Sequence, residues 1–422
     1  MASDIVRIDA IVAGGDGLAR GTDGRVVLIP RTAPGERVEV EYTEEHRQWA
    51  RGRLLRIVEA SPGRRTPSCP FYDRCGGCQL QHLEYETQLD AKALIVADSL
   101  RRLGGIEIEL PEVVPSAREF EYRNRVTFIL RRSGDHVRAG LHAAHKTGDI
   151  VDVDHCPLGE PPINRVWAGL RDVWGSGAER LPAGPELRLT LRGTSKGEVG
   201  LAVEGAQDYG EPETLLSKVG GLETIWSLDR LGAIEWYSGE PALAERWGPH
   251  ELELAGDAFV QVNRDVAAKL ETYVQERCGE VVRRRLIDAY CGFGLRALEL
   301  AWKGARVVGI DANRHAIAVA QSAAAESGAA ARFIAQRVER ALARELPADL
   351  VLLNPPRRGV AGEVIEALKT RPPAQIVYVS CDPATLARDL KALGSLFKVA
   401  ACRSFDMFPQ TAHVETVVTL IR

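Results

Sequence analysis

The sequence lacks three features that would place it in particular functional classes. No apolar run approaches the roughly 18 residues that a membrane-spanning helix needs, and the first residues show no signal-peptide pattern. We therefore expect a cytoplasmic protein without membrane association. A positive net charge is also absent, since the net charge is −4. Any nucleic-acid binding must therefore depend on a local basic surface.

The length and composition indicate a protein of several domains. A chain of 422 residues exceeds one ordinary core, and 45% hydrophobic with 27% charged residues is typical of globular proteins. We find no internal repeat and no signal for an oligomer, so we expect a monomer. The eight cysteines are not expected to form disulfides in a cytosolic protein.

Short β-strands broken by glycine-containing turns fill the first 60 residues. We predict strands over 5–11, 25–29, 37–42 and 50–58. This pattern favours a small closed barrel of the OB type, a fold whose open face commonly binds RNA. A small barrel without a ligand would have the same pattern. We place this domain at residues 1–61, before a Pro- and Gly-rich linker.

Residues 62–255 read as a β-rich α+β domain that contains a cysteine cluster. Cys69, Cys75 and Cys78 fall within ten residues, and Cys156 follows much later. Four thiolates suit either structural zinc or an iron–sulfur cluster. Because the first spacing exceeds that of zinc knuckles and the fourth cysteine is distant, we predict a [4Fe–4S] cluster. Helices are predicted over about 84–103 and 162–174.

Strands and helices alternate from about residue 256 to the end of the chain. Apparent strands lie at 285–289, 306–310, 332–335, 349–353 and 375–380, followed by a closing pair at 398–403 and 414–421. This alternation predicts a doubly wound, Rossmann-like parallel sheet, so residues 256–422 form the third domain.

The first turn of this domain suggests a nucleotide-like ligand. The strand ending at Asp288 runs into the Gly292–Gly294 turn, and Asp311 ends the next strand. A glycine turn lets a ligand approach the backbone, and an acid there can accept both hydroxyls of a ribose. With a single glycine pair, we favour S-adenosylmethionine over NAD. A structural turn is the plainer alternative.

Three further side chains are predicted to meet at the same edge of the sheet. Asn354 opens an Asn-Pro-Pro-Arg turn after a hydrophobic strand, and Cys381 ends the following strand. A helix starting near Asp382 would favour the thiolate of Cys381, which is the better nucleophile. Glu415 opens the last strand and can serve as a general base there if that strand runs antiparallel.

Five ordered motifs and the cysteine cluster together resemble the RNA 5-methyluridine methyltransferase family. The motifs are Phe259-x-Gln261-x-Asn263, Asp288-Ala289-Tyr290-Cys291-Gly292, Asn354-Pro355-Pro356-Arg357, Ser380-Cys381-Asp382-Pro383-Ala384-Thr385 and His413-Val414-Glu415. The resemblance covers essentially the whole chain. It points to the branch of the family with an N-terminal TRAM (OB-like) domain, an iron–sulfur cluster and a C-terminal class I methyltransferase domain.

The resemblance implies a role for each candidate site residue. It makes Cys381 the nucleophile and Glu415 the general base in methylation of uridine carbon 5. It makes Gln261, Tyr290, Asp311 and Asn354 contacts of S-adenosylmethionine or the base, and it makes Cys69, Cys75, Cys78 and Cys156 the cluster ligands. The implied partner is RNA, with large-subunit (23S) ribosomal RNA as the expected substrate and a tRNA T-loop uridine as the alternative.

The sequence departs from the family pattern at four places and leaves two other functions open. Asn354 and Asp311 replace the more usual Asp and Glu, and Leu295-Arg296 and Arg337 stand where the family often has polar or aromatic residues. An amino-group methyltransferase would also use an Asn-Pro-Pro turn, but has no use for the cysteine and glutamate. A non-catalytic RNA-binding or folding factor is the other alternative.

Overall fold

A computed structural model describes residues 3–133, 136–144, 148–230, 232–247, 250–256 and 260–422. The motif residue Phe259 lies outside these residues. No helix in the described ranges is long and apolar enough to cross a membrane.

The N-terminal strands close into a five-stranded barrel, in agreement with the OB-like barrel predicted from the sequence. Its strands are β1 (Ser3–Ile11), β2 (Gly17–Arg20), β3 (Val26–Ile29), β4 (Arg37–Glu45) and β5 (Trp49–Glu59), arranged in the order β1-β2-β3-β5-β4. Alternate side chains such as Val6, Val27 and Val38 fill the interior. The prediction missed β2, which has only four residues.

The central part of the chain forms a seven-stranded sheet with two helices. Before this sheet the chain forms α1 (Tyr85–Ser99), a π-helical turn (Leu100–Gly104) and β6 (Val113–Val114). The strands of the sheet and its two helices are, in chain order, β7 (Arg125–Ser133), β8 (His136–His142), β9 (Ile150–Asp152), α2 (Pro161–Val173), β10 (Glu186–Gly193), β11 (Val199–Glu204), α3 (Pro212–Lys218), β12 (Leu222–Leu228) and β13 (Ile234–Gly239). The strand order is β13-β12-β11-β10-β7-β8-β9, and a separate hairpin pairs β14 (Leu243–Trp247) with β15 (His250–Leu254). Trp167 of α2 stacks on Phe128 of β7 in the buried core, with ring centroids 3.9 Å apart.

The C-terminal part is the predicted doubly wound sheet. Its elements are α4 (Arg264–Cys278), β16 (Arg285–Ala289), α5 (Leu295–Trp302), β17 (Arg306–Asp311), α6 (Arg314–Ser327), β18 (Ala331–Ala335), α7 (Val338–Glu345), β19 (Leu350–Leu353), α8 (Gly362–Thr370), β20 (Gln375–Ser380), α9 (Pro383–Leu393), a 3₁₀ turn (Gly394–Leu396), β21 (Lys398–Phe405) and β22 (Glu415–Ile421). The strand order is β18-β17-β16-β19-β20-β22-β21-β6. Strands β16 to β20 are parallel, and β22 is antiparallel to β20 as predicted. The start of β22 therefore lies beside the carboxyl ends of the parallel strands.

The segment around α1 packs on the C-terminal sheet rather than on the central one. Val96 and Leu100 share an apolar core with Leu386 and Leu390 of α9, and β6 pairs with β21. Ala91 and Ile95 of α1 pack in a second cluster with Ile11 of the barrel. The spacing of apolar residues along α1 cannot show which cores receive them.

Candidate functional site

A cavity of about 670 Å³ opens at the carboxyl ends of β16, β17, β19 and β20. Its lining includes all six residues that the sequence analysis singled out for catalysis or cofactor binding, namely Gln261, Tyr290, Asp311, Asn354, Cys381 and Glu415. Ligands of open α/β sheets bind at this edge because the turns after the strands converge there. The arrangement brings together residues separated by more than 150 positions in the sequence.

Backbone hydrogen bonds shape the half of the cavity that follows β16 and β17. The N–H groups of Gly292 and Asn313 donate to the two carboxylate oxygens of Asp311, at 2.9 and 2.8 Å. Tyr290 has a φ of 65° and donates its N–H to Ile310. This left-handed conformation is uncommon outside glycine and turns the chain sharply at the cavity mouth. Asp311 is thereby fixed beside the glycine turn.

Asp288 places a buried carboxyl group beside this turn. It is 1% exposed, and within the described residues neither of its carboxylate oxygens has a hydrogen-bond partner. Burial raises the pKa of this carboxyl to about 7. Asp288 lines a recess together with Gln261, Tyr290 and Asn354, which also line the main cavity. A buried carboxyl without a partner favours a ligand that brings a positive charge.

Strand register brings Cys381 and Glu415 together. Ser380 pairs with Thr416 across the antiparallel β20–β22 ladder, so the next position along it sets Cys381 opposite Glu415. The side chain of Asp382 caps α9 by accepting the N–H of Thr385 at 2.8 Å. The helix thus begins at Pro383, directly after the cysteine, as predicted.

Burial holds both reacting groups in their neutral forms. It raises the pKa of Glu415 to about 8, and that of Cys381 to about 11 with a further contribution from the Glu415 carboxylate. The sequence analysis expected the helix N-terminus to favour the thiolate. That expectation does not describe the free protein, because desolvation and a neighbouring acid outweigh the helix.

Arg357 is the functional side chain to which the sequence analysis gave no role. Its guanidinium lowers the pKa values of both Cys381 and Glu415 and lines the same cavity. The hydroxyl of Thr385 in α9 donates to the Arg357 carbonyl at 3.1 Å and ties this turn to the helix after Cys381. The signal for Arg357 was its fixed place in the Asn-Pro-Pro-Arg motif.

Phe408 also lines the cavity, and no sequence signal pointed to it. It lies in the irregular segment between β21 and β22, where its ring contacts that of His413 edge-to-face at 5.9 Å. A base in the cavity would have an aromatic surface within reach.

Two residues that depart from the family pattern, Arg296 and Arg337, form ion pairs with nearby acids. Arg296 is largely buried and donates to both carboxylate oxygens of Glu271, at 2.9 and 2.6 Å. Arg337 pairs with Glu339 at 2.8 Å, and both line the cavity. The arginines are therefore accommodated by acids nearby.

The four predicted cluster cysteines line a second cavity, of about 300 Å³, between β-strands of the central part and the segment before α1. Cys75 and Cys156 are buried, and Cys69 and Cys78 are partly buried. Burial raises the pKa of Cys78 to about 12. In the described part of the chain, no three His, Cys, Asp or Glu side chains converge closely enough to hold a single metal ion. The four thiols therefore line a cavity and do not converge on a single metal position.

The structure shows no disulfide among the eight cysteines, all of which lie in the described residues. Two arginines at the end of β7 are engaged within the protein. Arg131 pairs with Glu186, and Arg132 donates to the carbonyls of Gly177, Ala178 and Gly184.

The sheet order, the glycine turn with its acid, and the cavity at the strand ends define a methyltransferase fold that uses S-adenosylmethionine. Residues 250–422 match the tRNA (uracil-5-)-methyltransferase family, and residues 6–55 match the TRAM domain. An uncharacterized RNA methyltransferase from Thermosynechococcus vestitus is 34% identical over 98% of this chain and 97% of its own length. Another from Gloeobacter violaceus is 33% identical over 99% of this chain and 96% of its own length.

A solved structure extends this similarity to three dimensions. The tRNA (uracil-54, C5)-methyltransferase of Pyrococcus abyssi, in complex with S-adenosyl-L-homocysteine, has a TM-score of 0.76 and is 28% identical, covering 99% of this chain and 100% of its own. The chain belongs to the tRNA (uracil-5-)-methyltransferase family. It is an RNA (uracil-C5)-methyltransferase with an N-terminal TRAM domain.

Proposed function

We propose that the enzyme methylates carbon 5 of a uridine in 23S ribosomal RNA through a covalent adduct between Cys381 and carbon 6 of uracil. The observation that carries this proposal is the placement of Cys381, Arg357 and Glu415 around one cavity. Amino-group methylation needs neither a thiol nor a base at this place, and a non-catalytic factor needs no such electrostatic arrangement.

The residues of the cavity fit S-adenosylmethionine, which supplies an electrophilic methyl group when bound. Asp288 offers a buried carboxyl that accepts no hydrogen bond from the described residues, although the Arg296 cation lowers its pKa, and such a carboxyl suits a cationic ligand. Asp311 is held by two backbone N–H groups and retains lone pairs for hydroxyl donors. Gln261, Tyr290 and Asn354 complete the proposed contacts.

Carbon 5 of uracil is a poor nucleophile, and covalent attack by a thiolate on carbon 6 raises its reactivity. The thiol of Cys381 loses its proton to solvent, its Sγ thiolate forms a bond to carbon 6, and the electron pair of the C5=C6 double bond moves towards the carbonyl at carbon 4. Carbon 5 becomes an enolate carbon and accepts the methyl group that bound S-adenosylmethionine would supply, with the electron pair of the broken S–CH₃ bond left on the sulfur of a neutral thioether. Arg357 stabilises the thiolate as it forms, because its guanidinium is the cation next to this thiol.

Glu415 completes the cycle as the general base. It accepts the proton from carbon 5, the C5=C6 bond forms again, and Sγ leaves with the electron pair of its bond to carbon 6. A pKa of about 8 suits this role, since a base works best when its pKa lies near the working pH. The uridine must leave its stack to reach this cavity, at a cost of roughly a few kcal/mol.

A tRNA T-loop uridine is the second candidate substrate. The similar Pyrococcus abyssi enzyme is described as acting on uracil-54 of tRNA. We place ribosomal RNA first because the combination of a TRAM domain and four clustered cysteines resembles the ribosomal branch. The TRAM barrel at 1–61 and the domain at 62–255 would then contact the RNA, and 256–422 would perform the chemistry in a cytoplasmic monomer.

The four-cysteine cavity supports the proposal of a [4Fe–4S] cluster held by Cys69, Cys75, Cys78 and Cys156. Four thiols surround the cavity, and among the described residues no carboxylate lines it. A cluster takes one thiolate at each iron, so its ligands are spread around a volume, unlike those of a single zinc ion. Anaerobic reconstitution followed by assay of iron and sulfide should give about four of each per chain, whereas a zinc site would take up one metal and no sulfide.

The reaction is tested with undermethylated ribosomal and transfer RNA that carry tritium at carbon 5 of uracil. With S-adenosylmethionine, we expect tritium release from ribosomal RNA only. Cys381→Ala should abolish release, and Glu415→Gln should instead accumulate a protein–RNA adduct that survives a denaturing gel. Methyl transfer without tritium release would favour amino-group methylation. Tritium release from tRNA alone would favour the tRNA T-loop uridine as the substrate.

A further inference from the structure

The segment between β21 and β22, residues 406–414, forms a wall of the catalytic cavity and leads directly into Glu415. We call it the β21–β22 loop. It contributes Phe408 to the cavity lining. At its start the N–H of Asp406 still donates to the Val114 carbonyl of β6, at 3.0 Å, but the residues that follow have left β21 and have not yet entered β22. Its position depends on contacts from other parts of the chain.

Some of those contacts come from Lys92 of α1, which bonds the Asp406 carboxylate and the Phe408 carbonyl, and others come from the segment that follows the cysteine run. The N–H groups of Gln79 and Leu80, directly after Cys78, both donate to the carbonyl of Gln410, at 3.1 and 2.9 Å. The catalytic wall and the proposed cluster ligand are therefore joined by main-chain hydrogen bonds across more than 300 residues of sequence.

Gln410 connects the loop to its surroundings through its side chain as well. It is fully buried, and its amide oxygen accepts hydrogen bonds from Arg65 and Gln88, at 3.1 and 3.0 Å. Its amide nitrogen donates to Glu119 at 3.1 Å, and its backbone N–H donates to Gln88 at 3.0 Å. The φ of Gln410 is 71°, so these contacts hold a conformation that non-glycine residues rarely adopt.

Tyr122 and Arg123 form a second connection between the two cavities. The hydroxyl of Tyr122 donates to the Pro409 carbonyl at 3.0 Å and accepts a hydrogen bond from Arg123 at 3.3 Å. Arg123 lines the cysteine cavity, and its guanidinium carbon lies 5.9 Å from the ring centroid of Phe408. One arginine thus contacts both the cysteine cavity and the wall of the catalytic cavity.

We propose that Gln410 and Tyr122 are positioning residues that tie the β21–β22 loop to the cysteine segment, so that the state of the cysteine site sets the shape of the base pocket. The inference rests on the proposed function, in which a cluster fills that site. A filled site holds residues 78–80 in place and, through Gln410, keeps Phe408 against the base. An emptied site releases the loop while the cofactor half of the cavity stays intact.

Hydrogen exchange measured by mass spectrometry tests this coupling in the full-length protein. Removing iron with a chelator should speed amide exchange in residues 406–414 about tenfold or more, as expected when a few hydrogen bonds are lost. Exchange in α6, beside Asp311, should not change. The affinity for S-adenosylhomocysteine in calorimetry should also stay the same, whereas kcat/KM for RNA should fall about tenfold or more.

Variants test the same link from the other side, because coupling between two sites is reciprocal. Gln410→Gly removes the side-chain amide, and glycine readily adopts the positive φ of this position. In the loaded protein it should speed exchange in both 406–414 and 76–82 and hasten loss of the cluster absorbance to a chelator several-fold. Tyr122→Phe deletes one hydroxyl and should act in the same direction with a smaller effect.

Gln375→Ala is the matched control. Its side chain donates to the carbonyl of Arg277 at the opposite end of β20, far along the strand from Cys381. This variant should leave exchange in 76–82 and 406–414 unchanged. Unchanged exchange in 406–414 after emptying, or unchanged exchange in 76–82 in Gln410→Gly, would overturn the inference. If the chain takes up neither iron nor sulfide, only the proposal of a cluster is refuted. The link through Gln410 would still require faster amide exchange in residues 76–82 of Gln410→Gly.

Discussion

At the scale of single residues, the cavity at the strand ends holds the thiol and the carboxyl that we propose as nucleophile and base, and burial of these groups opposes the charges that these roles need. Burial raises the pKa values of Cys381 and Glu415, and the guanidinium of Arg357 opposes this rise at both groups. Arg357 therefore increases the fraction of each group that is charged near neutral pH.

The pH dependence of the reaction should report this role of Arg357. In the wild type, kcat/KM for RNA should rise as pH increases through about 8, where Glu415 loses its proton. Arg357→Gln removes the cation that lowers both pKa values, so the rise should move to higher pH. Activity at pH 7.5 should fall about 10- to 100-fold. Steady-state rates between pH 6 and 10 measure this.

Arg358→Gln serves as the control, since Arg358 lines the same cavity without lowering the pKa of either reacting group. Its profile should keep the wild-type midpoint. Identical profiles for the two variants would show that Arg357 has no special electrostatic role.

The raised pKa of Glu415 should also appear in the pH dependence of stability. Between the usual value of 4.5 and about 8, the folded chain keeps a proton that the unfolded chain has lost. The free energy of unfolding therefore falls as pH rises through this window. Glu415→Gln removes this loss and should become more stable than the wild type by roughly 1–3 kcal/mol at pH 8.5.

Urea unfolding at pH 5.5 and 8.5 measures the difference for both proteins. The advantage of the variant should grow with pH. A difference that is the same at the two pH values would mean that Glu415 is not held neutral by burial.

At the scale of elements, the site depends on the turns that connect each strand to the next helix. Gly294 begins α5 with a φ of 71°, and a Cβ there would lie 2.4 Å from the ring of Phe333 and 2.9 Å from the Cβ of Ala320. The turn that shapes the cofactor half of the cavity can therefore pack against β18 and α6 only with glycine. The glycine is needed for packing as well as for backbone conformation.

Two alanine substitutions separate these contributions. Gly328, at the end of α6, has a φ of 64°, and a Cβ added to it would meet no atom within 4 Å. Gly328→Ala should cost about 1 kcal/mol, from the left-handed conformation alone. Gly294→Ala should lose about 1–3 kcal/mol more, from overpacking, and should also weaken S-adenosylhomocysteine binding. Urea unfolding and calorimetry measure both effects, and equal losses would contradict the packing argument.

At the scale of the whole molecule, buried ion pairs join parts of the chain that are distant in sequence. Lys92 of α1 and Asp406 of the β21–β22 loop are both 0% exposed and form an ion pair. Tyr85 donates to the same carboxylate at 2.9 Å. On the other side, Arg264 of α4 donates to Glu245 at 2.8 Å and to the carbonyl of Gly193 at 2.6 Å. Both ion pairs thus tie the C-terminal part of the chain to the segments before it.

Breaking the Lys92–Asp406 pair on one side should destabilise the protein strongly. Lys92→Met leaves a buried carboxylate without its cation and should cost about 3–5 kcal/mol. The double variant Lys92→Met/Asp406→Asn removes the unpaired charge and should recover part of that loss. Urea unfolding of the wild type, both single variants and the double variant gives the coupling energy. Additive effects would show that the two charges do not act as a pair.

Sequence reasoning found most of the elements and the candidate site residues because both have local signals. Alternating strands and helices indicated the doubly wound sheet, and the predicted helix near α1 agrees closely with the structure. The glycine turn, the Asn-Pro-Pro-Arg turn and Cys381 each follow a strand, so their convergence followed from the rule for parallel sheets. The short strand β2 was missed because four residues carry too little pattern.

The sequence by itself determined the class of fold, the order of the strands along the chain and the chemical groups available at their ends. Only the tertiary structure decided three things: that α1 packs on the C-terminal sheet, that Arg357 faces both Cys381 and Glu415, and that Gln410 joins the catalytic wall to the cysteine segment. The physical reason is the separation along the chain of the residues that interact. Local periodicity and turn chemistry depend on neighbouring residues, whereas a buried partner and the electrostatic environment of a side chain depend on segments that meet only after folding.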